Sequence, residues 1–142
     1  MRNVCLRRLS HKVTLNFWHF EWCPKYRFRM MGKLENKNLV AAAIRKAAHE
    51  KGIVIHVLSV LPDHVHNLVS LPNGMTDNRA LQLLKGRSSF LIFRNKPHMH
   101  LRYPKGHFWS PSSLSTTVGY SDFNTCADYI KNQEIHHGIK MA

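Results

Sequence analysis

The chain has 142 residues, of which 44% are apolar, and this length and composition are typical of one soluble globular domain spanning residues 1–142. No stretch approaches the roughly 20 apolar residues of a membrane-spanning helix, and residues 1–10 lack the apolar core of a secretory signal, so we expect a cytoplasmic protein without membrane contact. Lys and Arg number 21 against 8 Asp and Glu, which gives a formal charge of +13 and predicts a polyanionic partner, above all nucleic acid.

The first elements along the chain are predicted to be a strand and a helix. Residues 12–22 are rich in β-branched and aromatic side chains with partial alternation, and Pro24 closes this strand. Residues 36–51 carry apolar side chains at helical spacing with basic residues between them, and Gly52 is a stop signal.

Two apolar runs come next, at residues 53–61 and 64–71, and the turn signature Pro62-Asp63 separates them. Because both runs are apolar on both faces, they predict a β-hairpin of central strands. A second helix is expected from a cap among residues 76–78 to about residue 95, and a fourth strand within residues 107–119. Asp122 can cap a last helix that runs to about Glu134.

The order of these elements, β-α-β-β-α-β-α, indicates the fold class. It predicts an α+β fold of the ferredoxin-like, split-βαβ kind. We expect an antiparallel sheet with helices on one face and a further helix at the C-terminal end of the chain.

The hairpin contains a pair of histidines, His64 and His66, separated by Val65. Side chains two residues apart on a strand point to the same face, so the two imidazoles are predicted to lie side by side and to be able to hold one metal ion. An isolated His-x-His pair is more often structural than metal-binding, so this interpretation depends on what the rest of the chain supplies.

The last predicted helix carries two further candidates on one flank. Phe123, Ala127 and Ile130 form an apolar stripe at positions i, i+4 and i+7, which would pack on the sheet. Tyr129 and Gln133 lie off that stripe and are stacked one turn apart. A phenol and a carboxamide are therefore predicted to face the same way.

Six sequence blocks in this order resemble the single-tyrosine HUH transposases of the smallest bacterial and archaeal insertion sequences. The similarity extends over nearly the whole chain. The blocks are residues 22–27, residues 62–66, residues 84–89, residues 108–110, residues 115–119, and Tyr129-Ile130 with Gln133.

This resemblance implies a metal-dependent enzyme that cleaves and rejoins single-stranded DNA through a 5′-phosphotyrosine intermediate. It implies that His64, His66 and Gln133 are the metal ligands, with Mg²⁺ or Mn²⁺ as the ion, and that Tyr129 is the catalytic nucleophile. It further implies binding to subterminal DNA hairpins and a homodimer with shared active sites, in which the tyrosine helix serves the histidine pair of the partner subunit.

Basic and aromatic residues near the matching blocks are candidates for DNA contacts. We expect Lys25, Arg27, Lys85 and Arg87 to contact phosphates and Trp109 to stack on unpaired bases. Surface Lys and Arg residues are commonly solvated without binding a ligand, so these residues are also compatible with a role as ordinary surface side chains.

Two other functions fit part of the sequence. A replication-initiator or relaxase-type nickase uses the same metal and tyrosine chemistry, but usually within a larger domain than 142 residues. A non-catalytic ferredoxin-like nucleic-acid-binding module would explain the charge and the fold, but it has no use for Tyr129 and Gln133 in register.

Overall fold

The structure is a computed structural model that describes the backbone of residues 7–9, 12–14 and 16–138 and the side chains of residues 16–134. Residues 1–6, which belong to the segment expected to lack a secretory signal, lie outside the described part. The strands and helices are β1 Arg7–Leu9, β2 Lys12–Thr14, β3 Phe17–Pro24, α1 Leu34–Glu50, β4 Val54–Val60, β5 Val65–Ser70, α2 Asp77–Asn95, β6 Trp109–Val118 and α3 Phe123–Gly138.

The main sheet has four antiparallel strands in the order β4-β5-β3-β6, and β1 and β2 pair separately as a two-stranded sheet. The predicted α+β class with an antiparallel sheet is confirmed, and the predicted hairpin is β4 and β5. The first predicted strand is only partly right, because residues 12–14 pair with β1 and the main sheet begins at Phe17. The first strand is thus split between two sheets, a division that local composition does not reveal.

One face of the sheet is covered by α1 and α2, as predicted. Phe20, Trp22, Val65 and Val69 of β3 and β5 are buried there in the main apolar core, together with buried residues of both helices. The cap of α2 is Thr76, whose side-chain oxygen accepts a hydrogen bond from the backbone N–H three residues later at 3.1 Å. These contacts hold the central strands in position for the other face.

The opposite face is covered in part by α3. Phe17, Val57 and Leu68 of the sheet form a second, smaller apolar cluster with Phe123 and Ile130 of this helix. Side chains alternate between the faces of a strand, so the residues next to this cluster on β3 and β5 lie beside α3.

The edge strand β6 contains a proline. Pro111 lies within β6, and proline has no backbone N–H to donate. It is tolerated there because β6 is an edge strand, with no further strand beside it among the described residues.

Among the described residues, no helix is both long and apolar enough to span a membrane.

Candidate active site

The candidate site is assembled by the register of the central strands. His66 on β5 is paired with Glu21 on β3 and with Ser59 on β4. Directly paired residues point to the same face of a sheet, and His19 precedes Glu21 by two positions, so its side chain points there too. His19, Glu21 and His66 therefore meet on the face that α3 covers in part.

The two histidines of the His-x-His pair lie together, as the sequence predicts, although the strand expected to begin at residue 64 begins at Val65. The centroids of the His64 and His66 rings are 4.9 Å apart. His66 is buried within β5, whereas His64 lies in the turn just before the strand and remains partly exposed. The pair thus combines a rigid strand position with a turn position next to solvent.

His66 is held by two neighbours that the sequence interpretation missed. Its Nδ1 lies 3.1 Å from Nε2 of His19 and 3.5 Å from Oε1 of Glu21. Burial lowers the pKa of His19, and the negative charge of Glu21 only partly opposes this effect. The two rings are stacked at a centroid distance of 5.4 Å. His19 and Glu21 therefore fix the orientation of the His66 ring.

Three donors on this face could hold a cation. Glu21, His64 and His66 each offer one ligand atom, and these atoms lie within 4.8 Å of one another. Two imidazoles and a carboxylate fit a divalent ion such as Mn²⁺, and the carboxylate also suits Mg²⁺. Gln133, the third ligand expected from the resemblance, is a partly buried residue of α3 one turn beyond Tyr129.

Tyr129 lies beside the histidines of its own chain. Its half-exposed ring is edge-on to His66 at a centroid distance of 6.1 Å and to His19 at 6.2 Å. The buried hydroxyl of Ser59 on β4 donates a hydrogen bond of 2.7 Å to the carbonyl of Ile130. The backbone next to the tyrosine is thus fastened to the sheet, and a single chain brings the phenol and the imidazoles together.

Asp63 connects His64 to a basic residue. Nδ1 of His64 lies 2.8 Å from Oδ1 of Asp63, and Nε of Arg27 donates to Oδ2 at 3.2 Å. Partial burial tends to raise the pKa of Asp63, but the hydrogen bonds to His64 and Arg27 outweigh it and hold the pKa below its ordinary value. A carboxylate on one imidazole nitrogen directs the other nitrogen toward a metal. The sequence interpretation had treated Asp63 only as a turn residue.

The turn that carries Arg27 has an unusual backbone. Tyr26 and Arg27 have φ angles of 64° and 52°, a left-handed conformation that costs non-glycine residues about 1–3 kcal/mol each. Neighbouring contacts stabilise it: Tyr26 is stacked on Tyr103 at 6.5 Å, and the Tyr103 hydroxyl donates to the carbonyl of Lys25 at 2.9 Å. This turn directs Arg27 to Asp63.

Three of the five residues predicted to contact DNA line one cavity of about 850 Å³. They are Lys25, Lys85 and Trp109. Trp109 is only 6% exposed and its Nε1 donates to the hydroxyl of Ser88 at 2.9 Å, so its ring forms part of the cavity wall. Lys85 donates to the Ser113 hydroxyl at 2.7 Å, and burial lowers its pKa.

The other two predicted DNA contacts, Arg27 and Arg87, are engaged with carboxylates. Arg27 pairs with Asp63, as described above. Arg87 donates to both carboxylate oxygens of Glu50, at 2.9 and 3.3 Å. The structure therefore separates the five candidates into a cavity group and two ion pairs.

Sequence comparisons place the chain among transposases. The family model described as "Transposase IS200 like" matches residues 12–133. The transposase for insertion sequence element IS200 of Salmonella typhimurium is 29% identical over 127 residues, which cover 89% of this chain and 82% of that protein. The ISDra2 transposase TnpA of Deinococcus radiodurans is 28% identical over 117 residues, covering 82% of each chain.

Two solved structures share the fold of this chain. A crystal structure of a candidate transposase from Deinococcus radiodurans matches with a TM-score of 0.72 and 26% identity, covering 90% of this chain and 98% of that one. A REP-associated tyrosine transposase bound to a REP hairpin shares the fold, with a TM-score of 0.63 and 20% identity over 97% of this chain and 75% of that one. Because the family model covers most of its length, the chain belongs to the IS200-like transposase family of DNA-cleaving enzymes.

Proposed function

We propose that this chain cleaves and rejoins single-stranded DNA at the ends of an insertion sequence, with Tyr129 as the nucleophile. The observation that carries the proposal is the convergence of Tyr129, His64, His66 and Glu21 on one face of the sheet. The proposal assigns the whole activity to one domain over residues 1–142, acting on DNA in the cytoplasm.

The proposed reaction exchanges one phosphodiester for another. The phenolic oxygen of Tyr129 forms a bond to the scissile phosphorus, and the bond from phosphorus to the 3′ oxygen breaks. The phenol loses its proton and the departing 3′ oxygen gains one, which leaves a 5′-phosphotyrosine and a free 3′-hydroxyl. Because the new ester is similar in energy to the old one, attack by a 3′-hydroxyl reverses the step and rejoins DNA without ATP.

The donors on the sheet fit the divalent ion that this chemistry uses. We propose that His64 and His66 hold Mg²⁺ or Mn²⁺, that Gln133 is a ligand as the resemblance implies, and that Glu21 is an additional ligand. The ion would supply positive charge to a nonbridging phosphate oxygen as negative charge develops in the transition state. The side chains of His19 and Asp63 keep the two imidazoles in place.

The proposed DNA partner is a single strand with subterminal hairpins. The strong positive charge of the chain supports a DNA partner, and one of its structural relatives is bound to a hairpin. The resemblance also implies a homodimer with shared active sites, whereas the described contacts bring Tyr129 to the histidines of its own chain.

The nucleophile can be tested by trapping the covalent product. With Mn²⁺ and single-stranded DNA that spans an element end, the wild-type protein should form an adduct that survives denaturing electrophoresis. Tyr129→Phe should reduce adduct formation by more than about 10⁴-fold, because a phenyl ring has no nucleophilic oxygen. Tyr120→Phe is the matched control, since Tyr120 is also about half exposed and lies just before α3. Adducts of normal yield from Tyr129→Phe would exclude Tyr129 as the nucleophile.

The shared-site dimer can be tested by mixing two inactive variants. If Tyr129 serves the partner subunit's histidines, a mixture of His66→Ala and Tyr129→Phe contains heterodimers with one intact site and regains adduct formation. If each chain uses its own histidines, as in the described contacts, the mixture stays inactive. Either result assigns the tyrosine helix to one of the two arrangements.

A further inference from the structure

The cavity of about 850 Å³ between α2 and the start of β6 is not used by the chemistry proposed above. Its volume is within the range of small-molecule sites. Phe93 and Trp109 are buried in its walls, and Phe90 is 53% exposed beside them. An exposed aromatic ring at the rim of a cavity offers a face on which a ligand ring can stack.

The charged side chains that line this cavity are all basic. Lys25, Lys85 and Arg94 line it together with two histidines, and none of the described lining residues is acidic. His100 is stacked on Phe93 with ring centroids 4.3 Å apart. The guanidinium of Arg87 lies 5.1 Å from the centroid of the Phe90 ring. Aromatic walls with a basic rim are the combination that binds unpaired nucleotides.

The cavity is connected to the candidate metal centre by the left-handed turn. Lys25 lines the cavity, and Arg27, two residues later, pairs with the carboxylate that contacts His64. Two residues span at most about 7 Å of backbone. Between them Tyr26 is 69% exposed, with the Lys25 ammonium 5.5 Å from its ring centroid. The turn therefore places a residue of the cavity wall and a residue of the Asp63–His64 network close together on the chain.

We propose that this cavity binds one unpaired base of the single-stranded DNA substrate, with the neighbouring phosphates on Lys25, Lys85 and Arg94. The inference rests on the proposed function, because it takes single-stranded DNA as the ligand. It assigns Phe90 as the exposed ring on which the base stacks, and it makes the cavity a substrate-positioning site distinct from the residues that react.

Photocrosslinking tests this assignment directly. The probe is a short single-stranded oligothymidine that carries one 5-iododeoxyuridine, and the crosslinked peptide is identified by mass spectrometry. The expected crosslinks are to Phe90, Phe93 or Trp109, and Tyr129→Phe should give the same crosslinks as the wild type. Crosslinks confined to peptides that do not line the cavity would overturn the proposal.

Affinity measurements supply a second test with a matched control. Phe90→Ala should weaken binding of the oligothymidine by roughly 5- to 100-fold, as expected for the loss of one stacked base. Arg94→Gln should weaken binding and reduce the slope of log affinity against log salt by about one. Arg79→Gln removes the same charge at the opposite end of α2, away from the cavity, and should bind like the wild type.

The outcomes separate this proposal from the proposed function. If the wild type forms the Tyr129 adduct but Phe90→Ala and Arg94→Gln bind like Arg79→Gln, the cavity assignment is wrong and the catalytic proposal stands. If no adduct forms but crosslinks map to the cavity, the binding site stands and the catalytic proposal fails. If Phe90→Ala alters the sedimentation of the protein and not its DNA affinity, the cavity is a contact between two copies of this chain and the proposal is overturned.

Discussion

The two faces of the main sheet use the same strands for different purposes. β5 directs Val65, Asn67 and Val69 toward α1 and α2, where they are fully buried. It directs His66 and Leu68 to the other face, where α3 covers Leu68 in a small apolar cluster and leaves a group of titratable side chains beside it. Successive residues of one strand point to opposite faces. Packing of the buried residues against α1 and α2 therefore also fixes the backbone that carries the metal-donor side chains.

The largest effect is expected on the polar face. His66→Ala removes a proposed ligand that is buried and fixed by the strand, so the affinity for Mn²⁺ should fall by at least about 100-fold and adduct formation with it. Titration of Mn²⁺ followed by electron paramagnetic resonance measures the affinity. His56→Ala is the control, because His56 lies on β4 next to Ser70 and outside the donor group. Wild-type affinity in His66→Ala would remove His66 from the metal site.

Asp63→Asn tests the support of the other imidazole. An amide cannot provide the negative charge that orients His64, so we expect the affinity for Mn²⁺ to fall by about 10- to 100-fold. Arg27→Gln should have a smaller effect, at most about fivefold, because its ion pair with Asp63 is partly exposed. Arg29→Gln, two residues away, is the control for charge. Equal affinities in Asp63→Asn and the wild type would show that His64 needs no carboxylate partner.

A substitution of Asn67 on the packed face should raise the stability of the protein, whereas the substitutions on the polar face should weaken metal binding. This side chain is fully buried, and neither its amide nitrogen nor its carbonyl oxygen has a hydrogen-bond partner among the described residues. Asn67→Leu replaces the unpaired amide with an apolar group of similar size, so the free energy of unfolding should rise by roughly 1–3 kcal/mol. Urea unfolding measures this change.

The Mn²⁺ affinity of Asn67→Leu decides whether the two faces are independent. The side chains of His66 and Leu68, on either side of Asn67, point to the polar face, whereas the side chain of Asn67 points to α1 and α2. We expect an unchanged affinity for Mn²⁺ alongside the higher stability. A stabilised protein with weakened metal binding would contradict the separation of the two faces.

The elements with strong local signals could be predicted from the sequence. The periodic apolar residues of α1 and α2, the Pro62-Asp63 turn and the His-x-His spacing all depend on neighbours in the chain, and the structure agrees with each of them. The fold class followed from the order of these elements. The positions of Tyr129 and Gln133 on one helix were also predictable, because helical spacing is local.

Contacts that depend on strand register could not be predicted. The spacing of His19 and Glu21 places them on one face of a strand, but only the pairing of β3 with β5 brings Glu21 opposite His66. The Arg27–Asp63 pair spans 36 positions and depends on two left-handed residues that no sequence signal marks. Trp109 was expected to stack on DNA because aromatic residues often do, and its burial follows from packing against Trp22 at a ring distance of 5.8 Å.

The smallest expected effect concerns Tyr103, which supports the left-handed turn from the packed side. Burial raises the pKa of Tyr103 to about 12, so the folded state favours the neutral phenol. A raised pKa contributes stability that is fully present below the ordinary value near 10 and is lost as the pH rises through about 12. Tyr103→Phe should lower the free energy of unfolding near neutral pH by about 0.5–1.5 kcal/mol, the contribution of its hydrogen bond to Lys25.

The variant should also lose less stability than the wild type between pH 10 and pH 12, because it has no phenol to ionise there. Absorbance at the tyrosinate band should show a component near pH 12 in the wild type and in Tyr120→Phe, and none in Tyr103→Phe. If the free energy of unfolding fell equally with pH in the wild type and in Tyr103→Phe, ionisation of the Tyr103 phenol would not be what lowers the stability in this range.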